Sequence, residues 1–132
     1  MTWALNAIGT VPKNCWLFVR DVYKEQLGVE LPQFASIMMG DIPNIVRTME
    51  IESKNKMWKK VEDPSEFAVV AMSKSQYIHH VGLWTEEDGG KVLHSYEKNP
   101  VVANDILQLR RVGFKRVEFY ELDEAYRNIE PV

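Results

Sequence analysis

One cysteine and three histidines are the residues of this sequence whose types are best suited to covalent chemistry. Cys15 is the only cysteine among the 132 residues, and the histidines are His79, His80 and His94. A thiolate attacks a carbonyl carbon, and an imidazole within hydrogen-bond reach takes the thiol proton and later returns it to the leaving amine. A third polar group that orients the imidazole completes such a site. These residue types predict amide hydrolysis, provided that the fold brings them together.

The sequence around Cys15 predicts a helix whose two ends are both marked. Asn14 is a favourable N-cap because its side-chain oxygen can accept from free backbone N–H groups, and Gly28 is a favourable stop. Apolar residues recur at helical spacing between these ends, namely Cys15, Phe18, Val19, Val22 and Leu27. Cys15 then lies in the first turn, where the helix dipole favours a thiolate. The competing interpretation is a small buried hydrophobic residue.

The histidines fall in a predicted β-hairpin. Residues 77–84 and 91–96 have strand character, and the acidic turn between them ends in two glycines. Side chains alternate across a strand, so His79 and His80 point to opposite faces. His94 follows His80 by 14 residues across the turn, a separation that could place the two imidazoles side by side. A structural histidine and a zinc site are the alternatives, although the Cys and His spacing matches no familiar zinc motif.

The order of the elements predicts an α+β fold, with N-terminal helices packed on an antiparallel β-sheet. The length of 132 residues predicts a single domain spanning 1–132. Further helices are predicted over 2–8, 43–52 and 100–111, and further strands over 67–72, buried on both faces, and 114–120, with a short helix or strand over 57–61. Within the strand 114–120, Val117 and Phe119 should share one face.

Composition and charge exclude several classes of function. The net charge of −3 does not indicate nucleic-acid binding, and a single cysteine cannot form an intramolecular disulfide. No run approaches the roughly 18 apolar residues of a membrane span, and the N-terminus lacks the pattern of a signal peptide. If the protein acts outside the cell that made it, a route other than an ordinary signal must carry it there.

Three segments resemble the NlpC-type papain-like cell-wall peptidases. Asn14-Cys15-Trp16-Leu17-Phe18-Val19-Arg20 resembles the cysteine helix of that family, whose usual form is Asp-Cys-Ser/Trp-Gly-Leu-Val. His80-Val81-Gly82-Leu83-Trp84 resembles its His-Val-Gly-Ile-Tyr strand, and Val92-Leu93-His94-Ser95 resembles the strand that follows. Order and spacing agree over residues 3–96. The opening of the cysteine helix as Cys-Trp, and the ending Arg-Arg-Val-Gly-Phe-Lys-Arg-Val-Glu-Phe-Tyr, look most like small versions from tailed phages and prophages.

The resemblance implies a papain-like fold with Cys15 as nucleophile, His80 as general base and acid, and His94 as the orienting residue. It implies hydrolysis of amide bonds in peptidoglycan stem peptides, without a metal or other cofactor. A phage origin would make other virion proteins further partners, and would place the enzyme in the virion or in host cytoplasm before release. Trp58 and Trp84 could line a substrate groove, although tryptophans in so small a domain are more often core residues.

This sequence departs from the family pattern before and after the cysteine. The approach to it is shortened to Gly9-Thr10-Val11-Pro12-Lys13 and lacks the usual tyrosine, while Leu17 replaces a glycine and Glu66-Phe67 replaces Gly-Asp. Two other functions therefore stand beside peptidoglycan hydrolysis. One is a virion structural or tail-assembly domain with a degenerate site. The other is an intracellular thiol acyltransferase or deamidase.

Overall fold

The computed structural model describes residues 3–10, 15–31, 58–74, 80–96 and 99–123. Helices α1 (Trp3–Ala7) and α2 (Cys15–Val22) come first, and α2 continues as a π-helical turn over Tyr23–Leu27. The later elements are β1 (Trp58–Val61), β2 (Val69–Ser73), β3 (His80–Thr85), β4 (Lys91–Tyr96), β5 (Asn99–Asn104), α3 (Ile106–Arg111) and β6 (Arg116–Leu122). Asn14 and the predicted helix 43–52 lie outside the described residues. None of the described helices has the length and apolar character needed to cross a membrane.

The described strands form one six-stranded sheet in the order β1-β6-β2-β3-β4-β5, with every neighbouring pair antiparallel. The helices of the N-terminal half precede this sheet, as the sequence predicts for an α+β fold. Helix and strand were both open for the segment 57–61, and its described residues Trp58–Val61 form strand β1 at the edge of this sheet. The predicted hairpin is confirmed, because β3 and β4 are paired across the short acidic turn.

The sheet separates two hydrophobic clusters. Every residue of β2 is buried, and successive residues contribute to different clusters, which confirms the predicted burial on both faces. Val69 and Ala71 belong to the first cluster, which also contains the buried residues of α1 and α2. The second cluster consists of Val70, Met72, Val92, Leu109 and Phe114, with Val117 and Phe119 packed against it. The predicted shared face of Val117 and Phe119 is therefore confirmed.

The cysteine helix ends where the sequence predicts. Gly28 has a φ of 66°, in the left-handed region that glycine adopts without a steric penalty, and its N–H donates to the Lys24 carbonyl. The N–H of Val29 donates to the carbonyl of Tyr23, so a second carbonyl at the helix end is satisfied. The Tyr23 hydroxyl donates to the Phe67 carbonyl at 2.6 Å. This hydrogen bond joins the end of the helix to the segment that leads into β2.

The predicted helix over 100–111 is wrong in its first half. Asn99–Asn104 is strand β5, whose β-branched Val101 and Val102 suit an extended chain, and β5 pairs with β4. The helix begins only after Asp105, whose carboxylate accepts from the Gln108 N–H at 2.7 Å while the Gln108 side chain accepts from the Asp105 N–H at 2.8 Å. This reciprocal capping box marks the true start of α3.

Glu66 connects α1 to the far end of β3. One carboxylate oxygen accepts from the Trp3 indole at 2.6 Å and from the Thr85 hydroxyl at 2.7 Å. The other accepts from the backbone N–H of Glu86 at 2.6 Å. The neighbouring Phe67 ring stacks on Trp3 with centroids 5.0 Å apart. Glu66 and Phe67 therefore anchor α1 to the sheet.

Replacing Glu66 with alanine should lower the free energy of unfolding by about 3 kcal/mol, because three donors lose a charged acceptor worth roughly 1 kcal/mol or more each. Urea denaturation monitored by circular dichroism measures the change. Glu62→Ala is the matched control, since it removes an exposed carboxylate from the same stretch of chain. Equal losses in the two variants would show that the Glu66 contacts contribute nothing specific.

Candidate active site

The structure brings the imidazoles of His80 and His94 into direct contact. His80 begins β3, and His94 lies on the neighbouring antiparallel strand β4. Nε2 of His80 lies 2.9 Å from Nδ1 of His94, which is hydrogen-bond distance. The ring centroids are 5.0 Å apart, and the ring planes are nearly perpendicular at 78°. The predicted juxtaposition of these two side chains is confirmed, while His79 lies outside the described residues.

Both imidazoles are buried against one aromatic ring. Their exposed fractions are 2% for His80 and 3% for His94. Phe114 stacks on His80 with centroids 5.9 Å apart and meets His94 edge-on at 6.4 Å. Burial lowers the pKa of His94, since desolvation disfavours the charged ring, and this outweighs the opposite effect of its hydrogen bond to Asn104. His94 is therefore a neutral imidazole near pH 7.

Asn104 is a member of the site that sequence reasoning missed. Its side-chain oxygen lies 2.7 Å from Nε2 of His94, on the side of the ring opposite His80. The sequence contained the necessary signal, because a strand at 99–104 paired with β4 places Asn104 beside Val92. Val92 and His94 share a face of β4 by the alternation of side chains. Assigning these residues to a helix concealed this relation.

Cys15 is the first residue of α2, as predicted, and its side chain is 5% exposed. The helix packs against β3 and β4, the strands that carry the two histidines. Cys15 belongs to the first hydrophobic cluster, together with Val81 and Leu83 of β3. The imidazoles instead pack against Phe114, which belongs to the second cluster. The contact that the structure establishes is therefore that between the histidines, and the participation of Cys15 is a proposal made below.

The two tryptophans predicted for a substrate groove have different surroundings. Trp58 is 2% exposed and belongs to the first cluster, where its ring lies 6.1 Å from that of Tyr23. Trp58 is as buried as His80, so burial alone does not decide whether it contacts a substrate, and this contact stays a prediction. Trp84 is half-buried and meets Phe119 edge-on at 5.5 Å. A substrate contact by Trp84 stays a prediction.

A cavity of about 140 Å³ lies between α1 and α2. It is lined by Trp3, Asn6, Ala7, Thr10, Phe18, Asp21, Val22, Glu25 and Gln26. Cys15, His80 and His94 are not among its lining residues, so we do not assign it to the reaction. Within the five described ranges of the chain, no three His, Cys, Asp or Glu side chains are grouped as ligands for a metal ion.

The lowered pKa of His94 predicts that stability falls as the solution becomes acidic. The unfolded chain binds a proton near the ordinary histidine pKa of 6.5, whereas the folded chain binds it only at lower pH. The free energy of unfolding should therefore decrease as pH falls below about 6.5, by at most about 1.4 kcal/mol per pH unit for one proton, until the folded pKa is passed. Urea titrations between pH 8 and pH 5 measure this slope.

The variant His94→Asn should flatten the slope, because it removes the group that titrates differently in the two states. Glu118 acts in a separate and more acidic window. Burial raises the pKa of Glu118, but the hydrogen bond and charge of Arg116, together with the charge of Lys60, outweigh that effect. The pKa of Glu118 is therefore below its ordinary value of 4.5. An unchanged slope in His94→Asn between pH 5 and pH 6.5 would show that another group causes the loss.

The helix that begins at Cys15 packs on an antiparallel sheet whose hairpin carries His80 and His94, an arrangement consistent with the papain-like class of cysteine peptidases. Comparison with protein-family models gives a match to the NlpC/P60 family over residues 6–116. The chain belongs to the NlpC/P60 family, which confirms the family and the papain-like α+β fold predicted from the sequence. It is accordingly a cysteine peptidase-type enzyme of the cell-wall hydrolase group. A search of curated proteins gave no match.

Proposed function

We propose that the protein hydrolyses an amide bond in the stem peptides of peptidoglycan, with Cys15 as nucleophile. His80 is the general base and acid, and His94 orients it. Family membership supports the reaction class and the substrate. The single observation that carries the proposal is the 2.9 Å hydrogen bond between His80 and His94, because a general base needs a partner that fixes its ring. The resemblance to phage enzymes suggests a protein that opens the wall locally at infection or release.

The reaction begins when His80 takes the thiol proton and the sulfur of Cys15 attacks the carbonyl carbon of the peptide bond. Backbone N–H groups at the start of α2 stabilise the oxyanion of the tetrahedral intermediate. They take the place of the family's usual tyrosine, which is absent from the segment before Cys15. The imidazolium of His80 then protonates the leaving amine, and the C–N bond breaks to give an acyl-enzyme. Water attacks the thioester with His80 as base, which releases the acid and restores the thiol.

The ring of His94 has two functions in this scheme. Its hydrogen bond keeps the His80 ring from rotating away from the position in which it can act as a base. It also accepts a charge-assisted hydrogen bond from the imidazolium that forms during attack, which stabilises that charge in a buried environment. Phe114 packs against both rings and restricts them to this arrangement.

The test is digestion of purified peptidoglycan and of a synthetic stem peptide, with release of new amino groups as the measurement. Wild-type protein should release amine and Cys15→Ala should not. Circular dichroism of both proteins verifies that the variant is folded. Equal release by wild type and Cys15→Ala would refute the proposal, since the remaining activity would not depend on the thiol.

A second candidate is a virion structural domain that keeps the fold without the chemistry. The observation that favours it is the low exposure of Cys15, which is 5%. Alkylation by iodoacetamide across a pH range separates the two candidates, because only the thiolate reacts. A rate that rises only near the ordinary thiol pKa of about 8.5 favours the structural domain. A rate that is already high at lower pH favours the enzyme.

A further inference from the structure

The side chains of His80, His94 and Asn104 form a continuous hydrogen-bonded line, which starts in the buried hairpin of β3 and β4 and ends on β5. Nε2 of His80 meets Nδ1 of His94 at 2.9 Å, and Nε2 of His94 meets the side-chain oxygen of Asn104 at 2.7 Å. Each contact holds one hydrogen, and a neutral imidazole carries only one hydrogen on its two nitrogens. The position of the hydrogen at one end of the line therefore determines its position at the other end.

Two arrangements of these hydrogens are self-consistent. If the Asn104 oxygen faces His94, that oxygen can only accept, so His94 carries its hydrogen on Nε2. Nδ1 of His94 then accepts from Nε2–H of His80, and the lone pair of His80 is on Nδ1. If the amide nitrogen of Asn104 faced His94, every hydrogen would move to the other nitrogen. His80 would then carry its hydrogen on Nδ1 and could not take a proton there.

We propose that Asn104 is a positioning residue that fixes His94 in the Nε2–H tautomer and thereby keeps Nδ1 of His80 as the basic nitrogen. This inference rests on the proposed role of His80 as general base. The structure has the amide oxygen toward the ring, which is the arrangement that leaves His80 basic. Asn104 acts through His94 and contacts neither the thiol nor the substrate in this scheme.

The properties of the line agree with this role. His94 must be neutral to accept from His80, and burial lowers its pKa as required. The hydrogen bond to the neutral Asn104 amide raises the pKa of His94 by less than burial lowers it, whereas a carboxylate at this position would favour the imidazolium more strongly. The position of Asn104 is fixed by the pairing of β5 with β4, where it is opposite Val92. Asp105 next to it caps α3, which further fixes the end of the strand.

The test combines nitrogen NMR of the imidazoles with kinetics on a stem peptide. In wild type, the ¹⁵N shifts should show His80 and His94 both protonated on Nε2. In Asn104→Ala, the His94 signals should move toward a mixture of tautomers. Turnover should fall at least about 10-fold with little change in KM, as expected when a partner that orients a catalytic ring is lost. Val102→Ala is the control on the same face of β5, and it should leave the nitrogen pattern unchanged.

Asn104→Asp provides a second test with a side chain of the same shape, so it does not depend on whether the fold tolerates alanine at this position. Its carboxylate still accepts from Nε2–H but raises the pKa of His94, so turnover should be low near pH 6 and recover toward wild type as pH rises. A purely structural role for Asn104 would give no such recovery, and a profile parallel to wild type would overturn the inference. A wild-type nitrogen pattern in Asn104→Ala would overturn it as well.

The NMR measurement also separates failure of this inference from failure of the proposed function. It needs no substrate, so the tautomers of wild type and Asn104→Ala can be compared whether or not peptidoglycan is cleaved. Cleavage without a change of tautomer in Asn104→Ala refutes the role of Asn104 alone. A change of tautomer in Asn104→Ala, when the wild-type protein cleaves no stem peptide, supports the role of Asn104 and refutes the proposal that stem peptides are the substrate.

Discussion

Replacing His80 with alanine should reduce the turnover of a stem peptide by about 1,000-fold or more, the usual cost of removing a member of a catalytic triad. The physical reason is that no other group in the proposed scheme takes the thiol proton or returns it to the leaving amine. The same substitution should move the pH dependence of Cys15 alkylation upward, toward that of an ordinary thiol near 8.5. Amine release and iodoacetamide rates measure the two effects separately.

His79→Ala is a matched control for this experiment, because it removes an imidazole one residue away on the predicted opposite face of the strand. It should leave both turnover and alkylation close to wild type. Thermal denaturation of both variants verifies folding, since the His80 ring also packs on Phe114. Equal effects of the two substitutions, or an unchanged alkylation profile in His80→Ala, would contradict the assigned role of His80.

Gly82→Ala is expected to be strongly destabilising, because it adds a methyl group where β3 and β4 are in close contact. A Cβ atom at Gly82 would lie 2.6 Å from the Leu93 carbonyl oxygen, 3.0 Å from Cβ of His94 and 3.1 Å from a methyl of Val92. The closest atom is backbone, so β4 must shift away from β3. We expect a loss of about 3 kcal/mol in unfolding free energy, the upper range for overpacking. The same shift should lengthen the contact between His80 and His94 and lower turnover.

Gly89→Ala controls for the general cost of adding a methyl group in this hairpin. Nothing lies within 4 Å of the added Cβ, so its expected cost of about 1 kcal/mol comes only from the positive φ of 80°. Urea denaturation gives the two stabilities, and turnover is then measured at a temperature where both variants are folded. Full activity in folded Gly82→Ala would show that the histidine contact tolerates a displaced β4.

Local patterns were sufficient to predict the parts of the site that are close in sequence. A two-residue period, an acidic turn with two glycines and a separation of 14 residues predicted the contact between His80 and His94. Capping residues and a helical apolar period predicted the helix that begins at Cys15. The relation between that helix and the hairpin depends on how α2 packs on β3 and β4, which is a long-range property that periodicity does not contain.

The parts that could not be predicted were those in which one pattern fits two structures. Val102, Ile106 and Leu109 have helical spacing, yet the chain between 99 and 104 is a strand because β4 offers it an edge to pair with. Asn104 was missed for this reason. Trp58 is ambiguous for a different reason, since an aromatic residue suits both a binding groove and a core.

The order of the strands has a consequence for how the enzyme is made. The last of the described strands, β6, lies between β1 and β2, so each of these earlier strands lacks that neighbour until β6 has been synthesised. Until residues 116–122 have left the ribosome, an apolar β2 keeps one edge open to other chains. The hairpin of β3 and β4 can form early, but the nascent protein is exposed to aggregation until β6 is inserted.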